Sequence, residues 1–356
     1  MKLLDIFFDA YDNTRELLRL KPASGQTSDH VLSRIIPAVI VVIILFQLIL
    51  SFLWNTEPDR FDPVQFAAQL ANERNEDLAT GYITTAALIK VSETLLEKRG
   101  GYLSNDVLPP SVFMDNIPSW EFGTLSQIRD LTLALRNDIT RSQSQSIEDK
   151  DMVTVENQFR IDSTSWMLPP AESEYHKATQ GLYSFLTRLS DDNTQDAQFY
   201  ARADNLSEWL GLVNKRLGSL SQRLSASVGQ ARINTDLAGD ANAQQSTPTG
   251  KIVEVKTPWF EIDNVFYEAR GSAWALSIFL RAIETDFQDI LNKKNAQVSV
   301  QQIIRELEAT QDTVWSPVIL NGGGFGVFAN HSLVMANYIS RANAAVIDLQ
   351  QLLKQG

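Results

Sequence analysis

The chain of 356 residues carries 43 aspartate and glutamate residues against 31 lysine and arginine residues, which gives a formal net charge of −12, and it has no cysteine. A surface this acidic repels nucleic acid. The lack of cysteine excludes disulfides, thiolate catalysis and cysteine-based metal sites.

The first 27 residues show an amphipathic pattern. Apolar residues such as Leu3, Phe7 and Leu18 recur at helical spacing, with charged residues between them. We expect residues 1–27 to form a cytoplasmic amphipathic segment and linker, with a short helix resting on the inner leaflet. The alternative is a segment that becomes ordered only by packing on the membrane helix of a partner.

The next stretch, Ile35–Trp54, is apolar and uncharged, and only Gln47 and Ser51 interrupt it. As a helix it has about the length needed to cross a hydrocarbon core ~30 Å thick. A buried core helix is the alternative, but such helices normally carry a polar stripe. No small-residue cleavage site follows, so we expect residues 28–54 to be a retained signal anchor that contacts the lipid bilayer through Ile35–Trp54.

The basic residues near the apolar stretch predict its orientation. Those before it are Arg15, Arg19, Lys21 and Arg34, whereas those shortly after it are Arg60 and Arg74. Because lysine and arginine favour the cytoplasmic side, we expect a cytoplasmic N-terminus and an extracytoplasmic C-terminal domain. Residues 1–54 are balanced in charge, so the net negative charge belongs to residues 55–356. A domain this acidic is not expected to lie flat on anionic lipid.

Residues 55–356 are predicted to form an all-α fold, a multi-helix bundle with long loops. Apolar periodicity, caps and glycine stops predict a helical run over 63–99 that is broken or bent at Gly81, and helices over 124–142, 172–189, 199–224, 263–291, 298–310 and 332–355. Loops are expected over 102–122 and 162–170, and a short extended piece over 251–256. The polar stretch 236–249 is expected to be flexible, and a division of the domain into two lobes at 236–258 stays open.

The clearest periodicity in the chain has apolar residues separated alternately by four and three positions. They are Phe199, Ala203, Leu206, Leu210, Val213, Leu217, Leu220 and Leu224. This spacing is typical of a helix that buries a narrow seam. Because the pattern is short, we expect other helices of the same chain to cover it, rather than a second copy.

The sequence contains no recognisable catalytic constellation. The histidines have no second histidine at a metal-ligand spacing, so we expect no metal site, and we expect no cofactor. The GxSxG motif of a serine nucleophile is absent. Glu121 and Glu268 are weak candidates for the acid of a glycan hydrolase, because each lies near aromatic residues. Glu268 and Arg270 are two positions apart and therefore do not pair on one helix face.

A glycine-rich stretch, Asn321–Asn330, precedes the last predicted helix. It contains Gly322, Gly323, Gly324, Phe325, Gly326 and Phe328. Glycines before a helix expose N–H groups to anions, but the Lys-Ser/Thr ending of a P-loop is absent and no clear strand precedes it. We expect a tight connection or a mobile apolar flap, and these residues are the candidate loop for a partner or ligand.

Three stretches resemble a known family. They are Gly100–Asp106, Trp259 with Val265–Gly271, and Gly322–Ser332. Together they resemble a family of Gram-negative bacterial inner-membrane proteins catalogued as a domain of unknown function, over nearly the whole chain. The resemblance implies an inner-membrane protein with a periplasmic domain, and it brings no activity, cofactor or catalytic residue.

The leading hypothesis is therefore a non-enzymatic, single-pass membrane protein. Its helical domain acts as a scaffold or accessory subunit of cell-envelope machinery, with a protein partner in the envelope or a second copy of itself. The alternatives are a hydrolase acting on peptidoglycan or another envelope glycan, and a lipid-binding module with an apolar tunnel between its helices.

Overall fold

The structure, a computed structural model, describes residues 29–143, 145–191, 196–233, 252–316, 318–323 and 326–355. The chain divides into two compact units, Met1–Leu53 and Trp54–Gly356. The expected amphipathic segment 1–27 and the polar stretch 236–249 lie outside the described residues.

The described part of the first unit is one helix, α1 (Asp29–Trp54), whose last residue already belongs to the second unit. Its stretch Ile35–Trp54 has a mean hydropathy of 2.9, and none of the apolar window is buried. By length and composition this helix is able to cross a membrane.

The second unit, the helical domain, is built from ten further described α-helices and one small hairpin. The helices are α2 (Pro63–Arg74), α3 (Tyr82–Glu97), α4 (Asn116–Ala134), α5 (Lys150–Phe159), α6 (Ala171–Leu189), α7 (Ala203–Ser225), α8 (Ile262–Asp286), α9 (Gln288–Lys293), α10 (Gln297–Ala309) and α11 (His331–Lys354). The hairpin pairs β1 (Gln230–Ile233) with β2 (Ile252–Val255) in antiparallel register, with Gln230 opposite Val255. The predicted all-α class is confirmed, and β2 confirms the expected extended piece.

The helical run predicted over 63–99 is two helices. Asn75 adopts a left-handed conformation that closes α2, and its N–H donates to the carbonyls of Ala71 and Asn72. Gly81, also at positive φ, precedes α3. The run predicted over 63–99 is therefore broken at Gly81, which is one of the two expected alternatives.

The loop predicted over 102–122 is shorter than expected, because α4 begins at Asn116 and not near Thr124. Pro118 lies in the first turn of α4, where a missing N–H costs nothing, so proline here does not indicate a loop. The helix α5 is missing from the prediction. Its sequence signal is Asp149, whose carboxylate accepts from the N–H groups of Asp151 and Met152 as a cap.

The helix predicted over 263–291 ends at Asp286, and the chain continues after Phe287 as the short α9. The other predicted helices agree with the structure within a few residues: 172–189 is α6, 199–224 is α7 with its start at Ala203, 298–310 is α10 and 332–355 is α11.

The centre of the domain is the crossing of α4 and α8, which make the most extensive contact between any two elements. A Cβ at Gly123 would overlap the carbonyl oxygen of Glu268, and a Cβ at Gly271 would overlap that of Trp120. Two helix backbones therefore touch directly. The Thr124 hydroxyl donates to the Gly271 carbonyl at 3.2 Å across this contact.

The heptad helix α7 is covered by α11 of the same chain, as expected. The seam of α7 from Leu206 to Leu224 is buried. The Gln350 side chain of α11 donates to the Ser207 carbonyl at 2.8 Å.

The connections between the helices lie at two ends of the domain. The described residues of the connections 98–115, 160–170, 226–261 and 310–330 lie at one end, which we name the entry end because the chain enters the domain there. The Trp54 ring lies against Gly100. The Asn105 amide donates to the Ser165 carbonyl at 3.1 Å, and the Asn321 amide donates to the Ser227 carbonyl at 2.7 Å.

The remaining connections lie at the opposite end. There the Asp286 carboxylate, at the end of α8, accepts from the N–H groups of Gly81 at 2.9 Å and Thr84 at 2.7 Å, so it caps α3. The Tyr200 N–H donates to the Ile139 carbonyl at 2.8 Å. These bonds close the opposite end with polar contacts.

Candidate functional site

Glu121, one of the two candidate acids, is completely buried. Its carboxylate accepts from the N–H groups of Leu103 at 2.9 Å and Ser104 at 2.8 Å, from the Ser104 hydroxyl, and from the buried ammonium of Lys98. Both oxygens are therefore engaged. The geometry is that of a side chain that fixes the loop Gly100–Asp106, and Glu121 lines none of the four cavities described below.

Glu268, the second candidate, forms a two-pronged ion pair with Arg223 of α7. The pair joins α8 to the end of α7, and hydrogen bonding to Glu268 raises the pKa of Arg223. As predicted, Glu268 does not pair with Arg270. The two candidate carboxylates have no partner in common and lie on different elements.

Arg270, on α8, is a second buried cation near the entry end, besides Lys98. Its Nε donates to the Glu57 carboxylate at 2.8 Å, and its Nη2 binds the same carboxylate. Its Nη1 donates to the carbonyls of Thr310 and Asp312, each at 2.9 Å. One side chain thus connects the segment that follows α1, the centre of α8 and the end of α10. Sequence reasoning missed this connection.

Beside Arg270 lies an open cavity of about 320 Å³, which we name the aromatic groove. It is formed by the first turns of α8, the loop after α10 and the first turns of α11. The residues that line it are mostly apolar or aromatic: Phe266, Arg270, Ala309, Thr310, Asp312, Thr313, Val314, Trp315, Ser316, His331, Val334, Met335 and Tyr338. Trp315 lies at its edge and is 92% exposed, so its ring is not part of the hydrophobic core.

His331 closes one side of the aromatic groove. Its Nδ1 accepts the N–H of Leu320 at 3.1 Å, and its ring centroid is 6.4 Å from that of Phe266. Burial lowers the pKa of His331, so its neutral form is favoured. The Asn330 side chain caps α11 by accepting from the Leu333 N–H at 2.8 Å.

The glycine-rich loop next to the groove is closed by its own ends. Asn330 donates to the Asn321 side chain at 2.8 Å and to the Gly322 carbonyl at 2.7 Å. A Cβ at Gly322 would overlap the Phe328 backbone, so the close approach requires glycine. Val327 and Phe328 are exposed, as are the backbone positions Gly323 and Gly326 near them. Gly324 and Phe325 lie outside the described residues.

Three further cavities are polar. One of about 370 Å³ is lined by Glu57, Lys90, Lys98 and their neighbours, another of about 380 Å³ by residues around Arg188, and a third of about 240 Å³ by residues around Arg281. Ion pairs cross these clefts, as between Arg188 and Asp149. Over the part of the chain that the structure describes, no three acidic or histidine side chains converge in an arrangement that would hold a metal ion.

The residues of the aromatic groove were missed by sequence reasoning, apart from the neighbouring glycine-rich loop. Trp315, Tyr338 and Phe266 come from three separate segments. A local signal exists only for Trp315, a tryptophan in a stretch without helical periodicity.

Comparison with known proteins identifies the family. The chain belongs to the uncharacterised proteins conserved in bacteria grouped as DUF2333, whose family model matches residues 27–356. Neither a curated protein nor a solved structure matches the chain.

Proposed function

We propose that this protein is a single-pass inner-membrane protein whose helical domain serves, in the periplasm, as a scaffold or accessory subunit of cell-envelope machinery. The apolar and unburied surface of α1 supports the membrane anchor. The basic residues that precede it support a cytoplasmic N-terminus.

The aromatic groove is the observation that carries the scaffold role. Tryptophan and tyrosine dominate the binding energy of protein interfaces, since they bury large apolar area and keep a polar group at the rim. The groove offers Trp315, Phe266 and Tyr338 together with Val334, which is exposed in the first turn of α11. We assign it an apolar segment of an envelope protein as its occupant.

The states of Glu121 and Glu268 favour this role over glycan hydrolysis. A glycosidase needs a carboxylic acid that faces the substrate and a second carboxylate near it. Both carboxylate oxygens of Glu121 accept hydrogen bonds from buried donors, and the carboxylate of Glu268 forms an ion pair with Arg223. Both carboxylates therefore hold parts of the domain together.

The test is a photo-crosslinking amino acid at Val334 in the full-length chain, expressed in its native membrane, with the same group at Ile147 as the control. Ile147 is 96% exposed but lies at the opposite end. We expect one discrete crosslinked protein from Val334 and none from Ile147. Binding of that protein, once purified, should weaken about tenfold or more when Trp315 is replaced by alanine.

A crosslink of the same yield from both positions, or binding that Trp315→Ala leaves unchanged, would refute the groove as the binding site. A crosslinked species of twice the chain mass would assign the groove to self-association. Orientation is tested separately with a reporter enzyme that works only outside the cytoplasm, fused after residue 356. Activity of that fusion is expected, and its absence contradicts the topology.

A further inference from the structure

We propose that the entry end of the helical domain is seated in the headgroup region of the bilayer by a ring of exposed apolar side chains, which we name the collar. The collar consists of Leu108, Phe113, Trp166, Leu168, Trp259 and Phe260. This inference rests on the membrane anchor of the proposed function and adds a second, peripheral contact with lipid.

The distribution of exposed aromatic rings is the first observation. Over the described residues of the domain, every phenylalanine and tryptophan with a largely exposed ring lies in an entry-end connection or in the first two turns of α4: Phe113, Phe122, Trp166, Trp259, Phe260, Trp315 and Phe328. The large apolar residues exposed at or near the opposite end are Leu78, Ile147, Val298 and Ile347, and none of them is aromatic. Exposed rings collected at one end mark an interaction surface, whereas scattered single residues do not.

The collar is held in place by the fold. The loop that carries Leu108 and Phe113 begins at the residues bound by Glu121. The neighbouring loop, which carries Trp166 and Leu168, is tied to it because the Tyr102 hydroxyl donates to the Ser163 carbonyl at 3.1 Å.

Trp259 and Phe260 belong to the same surface. They lie just before α8, whose first turn contains Asp263, and Asp115, two residues after Phe113, is near enough for its charge to act on the Asp263 carboxyl. Burial, and next the charge of Asp115, raise the pKa of the Asp263 carboxyl. All three connections that carry collar residues therefore lie at the entry end.

The position of Trp54 identifies lipid as the occupant. It is the last residue of the apolar stretch, and its ring lies against Gly100, at the start of the loop that leads to the collar. The entry end is therefore the part of the domain that follows the apolar stretch most directly along the chain. Tryptophan is enriched at this depth of a membrane because its ring is amphipathic, and phenylalanine and leucine are the apolar side chains that surface-bound elements bury at the boundary between headgroups and acyl chains.

The charges beside the collar define which lipids it accepts. Asp106, Asp115, Asp162 and Glu261 are next to it in sequence, so attraction to anionic headgroups does not drive the contact. A zwitterionic bilayer is sufficient. This differs from the expectation that an acidic domain stays off the membrane, because the collar binds through apolar area and not through charge.

The absence of cysteine allows a direct test. The full-length chain is reconstituted in phosphatidylcholine vesicles with a single cysteine that carries an environment-sensitive fluorophore. The test positions are Phe113→Cys, Leu168→Cys and Phe260→Cys, and the matched controls are Ile147→Cys and Val298→Cys at the opposite end. Lipids with a spin label near the headgroup serve as quenchers for these positions. Phe46→Cys lies near the middle of α1, so lipids with a spin label at the end of an acyl chain are used with it to report whether the anchor is embedded.

We expect a blue shift and strong quenching at the collar positions, neither at the two controls, and no further change when anionic lipid is added. Weak quenching at the collar, equal to that of the controls, while Phe46→Cys is quenched, would overturn the collar and leave the anchor intact. A blue shift without quenching by lipid would also overturn it, because protein would then cover these residues. Failure of Phe46→Cys to be quenched would refute the anchor itself.

Discussion

The guanidinium of Arg270 binds the carboxylate of Glu57 through both Nε and Nη2, although 213 positions separate the two residues in sequence. The Arg270 side chain is 7% exposed and that of Glu57 is 21% exposed. Removal of one member of such a pair leaves a buried charge without its partner. The pair is therefore a sensitive point of the domain, even though a buried ion pair is not by itself strongly stabilising.

We predict that Arg270→Ala lowers the free energy of unfolding by about 3–5 kcal/mol, because it leaves the Glu57 carboxylate and two carbonyl oxygens without their donor. Arg281→Ala is the control, since Arg281 pairs with Glu308 at the surface and should contribute less than about 1 kcal/mol. Denaturant unfolding of the full-length chain in detergent measures both values. Equal losses for the two variants would contradict the buried role of Arg270.

Replacing glycine by alanine should change the stability of the domain in opposite directions at Gly271, which lies at the crossing of α4 and α8, and at Gly218, which does not. Gly271→Ala should destabilise the domain by about 1–3 kcal/mol or more, because its methyl group overlaps the Trp120 carbonyl. Gly218→Ala, on α7, should stabilise by about 0.5–1 kcal/mol, because alanine is the better helix former. A Cβ at Gly218 meets only the Asn343 amide, at 3.7 Å. Thermal unfolding of both variants in detergent gives the signs, and a stable Gly271→Ala would show that the helices separate easily.

Glu121→Gln separates a structural role from a catalytic one. We expect a loss of about 3–5 kcal/mol in the free energy of unfolding, because a neutral amide leaves the buried Lys98 ammonium uncompensated. Lys98→Met should also destabilise, and the double variant should lose about 0.5–3 kcal/mol less than the sum of the two single losses. Additive losses would mean that Glu121 and Lys98 do not act as a pair. A variant of normal stability that loses an activity on glycans would support the hydrolase alternative instead.

His331 predicts a local response to pH. Its pKa in the folded state lies below the ordinary 6.5, because burial disfavours the imidazolium. Between the folded-state pKa and 6.5, the unfolded chain binds a proton that the folded chain does not. The contribution of His331 to stability is therefore fully present above pH 6.5 and is lost as the pH falls towards the folded-state pKa. Protonation of Nδ1 also removes the acceptor of the Leu320 N–H.

Hydrogen exchange at the Leu320 amide, corrected for its intrinsic pH dependence, measures this response. Exchange should accelerate below pH 6.5 in the native chain. His331→Asn offers an acceptor oxygen that does not titrate, and it should give a flat profile. Global stability is a poor readout, because burial raises the pKa of Asp286 and gives the opposite sign. The same acceleration in both chains would remove His331 as its cause.

Local patterns were enough to predict the class of the fold and much of its detail. The heptad spacing predicted α7 and its cover by the same chain, and Gly100 was correctly placed after α3. The pattern failed where two local signals compete. Pro118 suggested a loop although the first turn of a helix tolerates proline, and α5 is too short for periodicity to outweigh its polar residues.

The candidate site was largely beyond prediction, for a physical reason. Arg270 with Glu57, Arg223 with Glu268, and the three segments of the aromatic groove are contacts between distant parts of the chain. Side-chain spacing determines which residues share a helix face, as it did in excluding a pair between Glu268 and Arg270. It carries no information on which face of another helix will cover them.

The cap that Asp286 provides for α3 also determines when folding can finish. The Gly81 amide and the Asp286 carboxylate are 205 positions apart, so the first turn of α3 has no cap until Asp286, well into the second half of the domain, has been synthesised. Contacts of such high sequence separation are slow to form, because a long loop must close first. The nascent N-terminal half, with its core side chains still uncovered, must therefore be kept from aggregating until the later helices emerge and complete it.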